Sequence, residues 1–554
     1  MKKKQTPCFF FSISVILESY KPNLYERTYM VAKPQKVKKQ PKQKTPHTKK
    51  VSAFAVLFAI IGLMAALTWV IPSGKYNMIK DPNDPSQEIR EAGTYQRIDK
   101  VEHIVDEETG EVTTVDHRQG LWDVFMAPIK GMADRLDVII FVLILGGFLG
   151  ITMKTGALDA ALGGLLKKMN GKEIFLIPIL MTLFAIGGTT YGMQEEAVAF
   201  YALIIPVMMA AGYNSMTAMM MIVLGGGVGV LASTVNPFST GIAARTADVQ
   251  LGNILWIQML VLVVMLVLAI LFVMNYAKKV KAGKYADDSS VASTFKPINL
   301  NSVPEYNFKR QLIMGVFAVT FVIMIISLIP WSGFKIDFFD VLHEFFAGVP
   351  VLSTMLGVNH NGALGTWYFN EISTLFLIST VVIAFIYRKE FSKKNVSITD
   401  TFIKGSEDLL SVAVIIAVAA GVAIVMRAGG IEDTIIHWGE KGLTNFNGGL
   451  VGVLAYIFYL PLSFIIPSSS GLAAASMPII APVSELVGSN KETMVVAFAN
   501  ANGLLNMFAP TIASLMAGLT LSGVSYKTWI KRVTPLMVIF AIISLVAVFV
   551  MGMI

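Results

Sequence analysis

Long apolar runs alternate with short polar breaks along most of this chain. An α-helix needs roughly 20 apolar residues to cross a bilayer, and such runs recur from residue 51 onwards. They predict nine membrane spans, at about residues 51–71, 138–155, 216–248, 253–276, 311–330, 371–387, 411–428, 493–524 and 533–552. Two further apolar stretches, 173–210 and 449–487, have a polar, glycine-containing segment near the centre, which is typical of a hairpin that enters and leaves the membrane on one side.

The polar residues also reveal an internal repeat. Ile129-Lys130-Gly131 recurs as Ile403-Lys404-Gly405, and Thr189–Gly192 corresponds to Ser468–Gly471, with offsets between 273 and 279 residues throughout. Because the matched residues are polar, Gly or Pro, chance similarity between apolar helices does not explain them. The charges that follow the matched spans change sign between the copies, which predicts that the copies are inverted in the membrane.

The fold class that follows is an all-α polytopic membrane protein with two inverted-topology repeats, each containing a re-entrant hairpin and a helix broken in mid-membrane. Residues 73–118 carry six basic and eleven acidic side chains, whereas residues 277–310 carry seven basic and three acidic ones. The positive-inside rule therefore favours a cytoplasmic N-terminus. The predicted segments are a basic cytoplasmic tail (1–50), a first span (51–71), an extracytoplasmic acidic loop (72–121), repeat 1 (122–276), connecting spans and loops (277–398) and an inverted repeat 2 (399–554).

Composition agrees with this picture. Hydrophobic residues make up 54% of the 554 residues and charged residues only 15%, whereas soluble domains are about a quarter charged. The net charge of +8 divides into +11 for residues 1–50 and −3 for the remainder, so the body of the chain is not that of a nucleic-acid-binding protein. Residues 1–29 resemble a signal peptide in outline but lack a cleavage site, and we expect the natural protein to start at Met30.

Enzyme classes find no support in the residues. One cysteine and six scattered histidines form neither a disulfide framework nor a zinc-binding spacing. Neither residue type lies near the polar breaks, and the chain has no Walker P-loop. We therefore expect no catalytic residues, no cofactor and no ATP-driven step.

Four places interrupt helices at the predicted membrane depth. Two are the hairpin centres. The third is Gly225–Gly227 together with Ser233–Pro237, in the span at 216–248, and the fourth is formed by Asn500, Asn502, Asn506, Pro510 and Thr511, in the span at 493–524. Helix ends, free carbonyls, hydroxyls and amides would meet there, and these groups suit a carboxylate or a hard cation such as Na⁺. Close helix packing is the alternative for any single break, but four breaks in two matched pairs favour a binding site.

Glu195 and Glu196 follow the first hairpin centre, and the second repeat has only small side chains at the equivalent positions, Ala473–Ser476. A carboxylate within the membrane is costly and is by default functional. The pair could compensate the charge of a cationic or zwitterionic substrate, or could couple transport to a proton or cation. A third interpretation is that one glutamate caps the N-terminus of the following helix.

The segments Gly188–Glu196, Ser233–Phe238 and Pro467–Gly471 resemble the YfcC family. Its relatives are anaerobic C4-dicarboxylate carrier-like and arginine/ornithine antiporter-like proteins of the ion transporter superfamily. The resemblance covers about residues 50–554 and implies that hairpin tips and helix breaks bind substrate and Na⁺. The dicarboxylate members have Ser-Asn-Thr tips, whereas this chain has Thr-Thr-Tyr-Gly and Ser-Ser-Ser-Gly, and its glutamates would repel a dicarboxylate.

The sequence therefore predicts a secondary active transporter, an antiporter or an ion-coupled symporter, that moves a small amino acid of the arginine or ornithine type by alternating access. A carrier of C4-dicarboxylates or other small organic anions is the alternative. The candidate substrate residues are Thr189, Thr190, Glu195, Glu196, Asn236, Ser468, Ser469, Ser470, Asn502, Asn506 and Thr511. The candidate Na⁺ residues are Thr189, Ser233, Thr234, Ser469 and Thr511. The coupling ion would be Na⁺ or H⁺, and we expect a homodimer in the bacterial inner membrane, with lipid and a small molecule as partners and no nucleic acid.

Overall fold

Apolar helices make up most of the protein. The computed structural model describes residues 53–81, 84–105, 112–169, 171–285, 288, 295–296, 303–329, 331, 336–358, 361–444, 446 and 449–554. The basic tail (1–50), and with it the expected start at Met30, lies outside the described residues. Among those described, seven helices are long and apolar enough to cross a membrane, and five apolar helices of 10–17 residues accompany them. Each predicted apolar segment contains a helix, so the predicted all-α polytopic fold is confirmed.

The helices form three groups along the chain. The first group is α1 Ala53–Val70, α2 Leu121–Asp134, α3 Leu136–Lys154, α4 Ala157–Met169, α5 Leu176–Tyr191, α6 Val198–Ala210, α7 Ser215–Leu231, α8 Thr240–Thr246 and α9 Leu251–Lys281. The connecting group is α10 Phe308–Leu328, α11 Phe338–Ala347, α12 Pro350–Leu356 and α13 Phe369–Lys393. The last group is α14 Ile398–Asp408, α15 Leu410–Ala428, α16 Ile431–Leu443, α17 Gly449–Ile465, α18 Ser469–Leu486, α19 Lys491–Asn506, α20 Ala513–Ser522 and α21 Tyr526–Met551.

Helices α2–α9 correspond one to one, and in order, to α14–α21. Helices α3 and α15 both have 19 residues, and α4 and α16 both have 13. Asn214 and Asn490 cap the N-termini of α7 and α19, where each side chain accepts a hydrogen bond from the N–H of Thr217 or Thr493, at 3.0 and 2.8 Å. An asparagine in this position satisfies an N–H group that the helix itself leaves unpaired. The opposite membrane orientation of the two repeats stays a prediction.

The two repeats interlock through matched glycines. A Cβ atom on Gly131 of α2 would lie 2.1 Å from the carbonyl oxygen of Ala417 in α15. A Cβ atom on Gly405 of α14 would lie 2.3 Å from the carbonyl oxygen of Gly146 in α3. Only glycine permits such an approach of two helix backbones. Because Gly131 and Gly405 are equivalent in the sequence repeat, each repeat packs its first helix against the other repeat in the same way.

The acidic loop contains short strands that the sequence pattern did not predict. They are β1 Ser73–Lys75, β2 Met78–Asp81, β3 Asp84–Arg90, β4 Gln96–Ile98, β5 Val101–Val105 and β6 Val112–Asp116. They form three antiparallel pairs, β1 with β4, β2 with β3 and β5 with β6. The loop is attached to the start of α16, where the Ser73 hydroxyl donates to the Gly429 carbonyl at 2.7 Å and the Gly74 N–H donates to the Gly430 carbonyl at 3.0 Å.

Candidate substrate site

The first hairpin turns later than the sequence predicted. Helix α5 continues through Tyr191 and ends at Gly192, which has φ +75°. The helix therefore ends at the last residue of the predicted interruption Thr189–Gly192, and its first three residues are still helical. The Thr190 hydroxyl donates to the Ile186 carbonyl at 2.6 Å, one turn back in the same helix, so these threonines do not break it. A left-handed glycine does end a helix, because it has no Cβ to clash.

As a result, Glu195 and Glu196 lie within the turn between α5 and α6. Their backbone carbonyls accept hydrogen bonds from the N–H groups of Val198 and Ala199, both at 3.1 Å. No side chain caps the N-terminus of α6. The Glu196 carboxylate instead accepts the N–H of Gln194 at 3.3 Å. Neither glutamate side chain therefore caps the N-terminus of α6, which was one of the roles considered for them.

The second hairpin turns at its serines. Ser468 caps α18 by accepting the N–H of Gly471 at 3.2 Å. The Ser469 hydroxyl donates to Asn502 Oδ1 at 2.6 Å, and the Asn506 amide donates to the same oxygen at 3.2 Å. These bonds connect the tip of the second hairpin to α19, the first part of its broken helix.

The break between α7 and α8 is bonded to the first hairpin. The Thr189 hydroxyl donates to the Ala232 carbonyl at 2.9 Å and accepts the N–H of Thr234 at 3.0 Å. The hydroxyls of Thr189 and Thr234 are also 3.1 Å apart. Thr189 of α5 therefore bonds two backbone groups of the break after α7, and its hydroxyl is already occupied. At the turn itself, a Cβ atom on Gly192 would lie 2.5 Å from Asn236 Nδ2.

Both hairpin tips and both helix breaks line one cavity of about 190 Å³. The candidate residues that line it are Glu195, Glu196, Asn236, Ser468, Ser469, Ser470 and Thr511. The candidates that do not line it are Thr189, Thr190, Ser233, Thr234, Asn502 and Asn506, which lie behind the tips or within the helices that support them. The cavity has room for a solute of the size of an amino acid or a small dicarboxylate.

Two charged residues in the cavity wall were missed in the sequence. Asp134 and Arg135 lie at the junction of α2 and α3, and both line the cavity. They follow the repeated motif that ends at Gly131, so their position in the repeat was available as a signal. The equivalent junction of the second repeat is Leu409, which is 2% exposed. The aromatic ring of Tyr368, before α13, completes this side of the cavity.

The two repeats contribute different chemistry to the wall. The first repeat supplies the charged groups, which are three carboxylates (Asp134, Glu195 and Glu196) and one guanidinium (Arg135). The second repeat supplies hydroxyl groups from Ser468–Ser470 and Thr511. Among the described residues, no Lys, Arg or His nitrogen lies within 4.0 Å of either glutamate carboxylate.

The candidate Na⁺ ligands differ in whether their hydroxyl oxygens already have hydrogen-bond partners. The hydroxyls of Ser233 and Thr511 are buried and have no hydrogen-bond partner in the described part of the chain. The Thr189 and Thr234 hydroxyls bond to each other, and Ser469 is bonded to Asn502. Since hydroxyl and carbonyl oxygens suit a hard cation, Ser233 and Thr511 fit that role better than the others.

Two relatives match this chain over most of its length. An uncharacterized protein of Haemophilus influenzae is 30% identical over 530 residues, which are 88% of this chain and 93% of that protein. The Escherichia coli K12 protein named "Putative basic amino acid antiporter YfcC" is 26% identical over 524 residues, 89% of this chain and 94% of that protein.

Two solved structures align over most of the chain. The Alcanivorax borkumensis YdaH transporter has 12% identity and a TM-score of 0.40 over 90% of this chain and 98% of its own. Neisseria gonorrhoeae MtrF, of a class described as antimetabolite efflux pumps, has 16% identity and a TM-score of 0.36 over 91% and 95%.

The family assignment rests on the sequence profile. The profile of the family described as C4-dicarboxylate anaerobic carrier matches residues 51–553, which is nearly the whole described chain. That family assignment and the apolar helices make the protein a multi-pass membrane transporter. The chain belongs to the C4-dicarboxylate anaerobic carrier family.

Proposed function

We propose that this transporter moves a cationic amino acid of the arginine or ornithine type across the bacterial inner membrane by alternating access. The observation that carries the proposal is the charge of the cavity, whose wall has three carboxylates and one guanidinium. A binding site with this balance favours a cargo with net positive charge and repels a dicarboxylate.

Glu196 is the central residue of the proposal. Its side chain is buried, with 8% of the residue exposed, and the hydrogen bond that it accepts from Gln194 is a long one of 3.3 Å. A carboxylate removed from water is costly unless a cation or several hydrogen bonds compensate it. A guanidinium or ammonium group of the substrate would provide that compensation, and would do so only while the substrate is bound.

The hydroxyl groups of the second repeat complete the proposed site. Ser468, Ser470 and Thr511 belong to the second repeat, while Glu195 and Glu196 belong to the first. A substrate that touches both walls would connect the two hairpin tips. Alternating access would then open the cavity to one side of the membrane at a time around the bound cargo. The name of the E. coli relative, a basic amino acid antiporter, agrees with this cargo.

A carrier of C4-dicarboxylates is the second candidate, and two observations favour it. The family as a whole is described as C4-dicarboxylate carriers, and Arg135 could bind one carboxylate. A second carboxylate of the same substrate would, however, meet the glutamates, so the charge of the cavity opposes this candidate.

The two candidates separate in a counterflow experiment with the reconstituted full-length protein. Vesicles loaded with unlabelled arginine, ornithine, citrulline or succinate are tested for uptake of the same labelled compound. Citrulline is the informative control, because it has nearly the shape of arginine but a neutral side chain. We expect arginine and ornithine to exchange and citrulline to bind at least about tenfold more weakly, since a hydrogen bond to a charged group contributes about 1.5–3 kcal/mol.

Glu196→Gln should remove the preference for arginine over citrulline, because it keeps the size of the side chain and removes its charge. Glu485→Gln is the matched control, since Glu485 lies at the far end of α18 and is 60% exposed. Rapid succinate counterflow that ignores Glu196→Gln would refute the amino-acid proposal and support the dicarboxylate candidate.

The same vesicles test the coupling ion. We propose Ser233 and Thr511 as ligands of a coupling Na⁺, because their hydroxyls are buried without a partner in the described chain. An inward Na⁺ gradient should then accelerate uptake, and Ser233→Ala should weaken the response. Uptake that follows a pH gradient in Na⁺-free buffer would instead support proton coupling through Glu195 and Glu196.

A further inference from the structure

Arg135 occupies an unusual place between two helices. Helix α2 ends at Asp134 and α3 begins at Leu136, so Arg135 alone forms the junction, with φ −120° and ψ 27°. Its side chain is 40% exposed and lines the cavity. It is the sole basic residue among the described residues of the cavity wall. The backbone thus presents one guanidinium to a cavity that is otherwise acidic.

The guanidinium of Arg135 is only partly engaged. Its Nε atom is 3.3 Å from Asp134 Oδ2, and the other oxygen of Asp134 is 3.6 Å from Nη2 of Arg427. Asp134 is therefore shared between two arginines. Among the described residues, the structure gives the two terminal nitrogens of Arg135 no hydrogen-bond partner. Those nitrogens are the ones that form a fork around a carboxylate.

Glu195 is a second acidic residue that lines the same cavity as Arg135. The two side chains are further than 4.0 Å apart and form no direct ion pair. An α-amino acid has a carboxylate and an ammonium group on the same carbon atom. Neighbouring protein groups of opposite charge, separated by more than a direct contact, can bind these two groups together. Glu196 then remains for the cation of the substrate side chain.

The N-terminus of α18 is the other feature of the cavity that could bind a carboxylate. Its first N–H groups are partly satisfied, because Ser468 already accepts the N–H of Gly471, and the Ser469 hydroxyl is donated to Asn502. The guanidinium of Arg135 carries a full charge, and among the described residues its terminal nitrogens have no hydrogen-bond partner, although Asp134 lies beside Nε. The balance of partners therefore favours Arg135 over the helix end.

We infer that Arg135 is a specificity-determining residue that binds the α-carboxylate of the substrate beside Glu195, and so selects amino acids over amines that lack this carboxylate. The inference rests on the proposed function, because it assigns the remaining charges of the same cavity. It makes arginine and agmatine the critical pair of ligands, since agmatine is arginine without its carboxylate and keeps the guanidinium.

The test measures binding of arginine and agmatine to the purified full-length protein, from the dependence of thermal stability on ligand concentration. Wild-type protein should bind arginine at least about tenfold more tightly than agmatine, as expected for a charge-assisted pair. Arg135→Gln should weaken the binding of arginine by a similar factor, because the carboxylate of arginine loses its partner. The affinity for agmatine should stay within about threefold of the wild-type value, because agmatine has no carboxylate to lose that partner. Arg135→Lys should be intermediate, since it keeps the charge but loses the fork.

Lys154→Gln is the matched control, because Lys154 lies at the other end of α3 and is exposed. It should bind both ligands as the wild type does. Equal losses for arginine and agmatine in Arg135→Gln would overturn the inference. If Arg135→Gln does not fold, arginine methyl ester tests the same contact from the ligand side. An ester that binds wild-type protein as tightly as arginine overturns the inference.

The inference and the proposed function fail in different ways. A wild-type protein that binds arginine and agmatine equally would refute the role of Arg135 and leave the cationic cargo standing. A wild-type protein that binds neither ligand, but is stabilised by succinate, would refute the proposed function itself.

Discussion

One arginine between two carboxylates helps to hold the acidic loop to α16, and removing that arginine gives a sharp test. Arg90, at the end of β3, places Nη2 at 3.0 Å from Glu432 Oε1 and Nε at 2.6 Å from Asp433 Oδ1. The exposed fractions of these side chains are only 18%, 9% and 14%. Arg90→Met keeps most of the apolar stem and removes the charge, so two carboxylates at the start of α16 lose their cation.

The expected cost follows from the burial of this cluster. Removing one partner of a buried ion pair costs about 3–5 kcal/mol, because the remaining charge is left uncompensated. We take the lower value, about 3 kcal/mol, since Asp433 keeps a second hydrogen bond from the N–H of Tyr76 at 3.0 Å. If the loss opens the loop locally, the open population should rise by roughly 100-fold. Limited trypsin digestion of the loop reports that population when opening is fast relative to cleavage.

The same loop provides its own control. Arg118 pairs with Asp116 through Nη2 at 2.7 Å, which is as short as the Arg90 contacts, but the two side chains are 36% and 45% exposed. Exposed pairs of this kind contribute little to stability, because water screens their charges. Arg118→Met should therefore change the digestion rate by about fivefold or less. Equal rates for Arg90→Met and Arg118→Met would refute the assignment of the energy to burial.

The pH dependence of the variant follows from Glu432. Burial raises the pKa of this carboxyl, and Arg90 opposes that rise. A carboxyl whose pKa is raised in the folded state binds its proton more tightly there, so the folded state gains stability as the pH falls from that raised pKa towards the ordinary value. Without Arg90 this effect should grow, and the defect of Arg90→Met should shrink between pH 7.5 and pH 5. A defect that is the same at both pH values would contradict this account, and Glu432→Gln in the Arg90→Met background should relieve part of the defect at neutral pH.

Two further substitutions test how the broken helices are held. A Cβ atom on Gly503 would lie 2.2 Å from the Leu231 Cα atom, so Gly503→Ala should force α19 away from α7, cost about 1–3 kcal/mol in thermal unfolding and reduce transport. Gly164→Ala is the control, because its Cβ atom would meet nothing within 4 Å, and it should be neutral or slightly stabilising. Similar melting temperatures for the two variants would contradict the packing of α19 on α7. Thr189→Val keeps the shape of the side chain but removes the hydroxyl that bonds to Ala232 and Thr234, and should lower the free energy of unfolding by about 1–3 kcal/mol. Thr189→Ser keeps a hydroxyl and should retain most of the stability in the same thermal unfolding experiment. A Thr189→Val protein as stable as wild type would show that these hydrogen bonds are dispensable.

Much of the scaffold could be predicted because the bilayer imposes a simple rule on the chain. Every predicted apolar run contains a helix, and Ser233–Pro237 follows the end of α7 as predicted. The predicted breaks at Gly225–Gly227 and at Asn500 and Asn502 are wrong, because these residues lie inside α7 and α19. The position of the first turn was missed because polarity and helix-breaking are different properties. Thr190 bonds to a carbonyl of its own helix, while Gly192 has the backbone angle that ends it.

The sequence could predict neither the strands of the acidic loop nor the contacts of Arg90, for a different reason in each case. Strands of three to seven residues in a highly charged segment show little alternation of apolar and polar positions. Arg90 and Glu432 are separated by 342 residues, and nothing in either local sequence indicates the other. Such a contact follows from the folded arrangement of β3 against α16 and not from any local pattern.

Divergence between the repeats locates the candidate chemistry better than their similarity does. Matched residues such as Gly131 and Gly405 hold helices together in both repeats, so they describe the scaffold. Arg135 stands where the second repeat has Leu409, and the glutamates of the first hairpin have small side chains as counterparts. A duplicated scaffold needs its interlocking residues twice, but an asymmetric substrate with a carboxylate at one end and a cation at the other needs its charged partners only once. The unmatched polar positions of an internal repeat are therefore where substrate specificity should be sought.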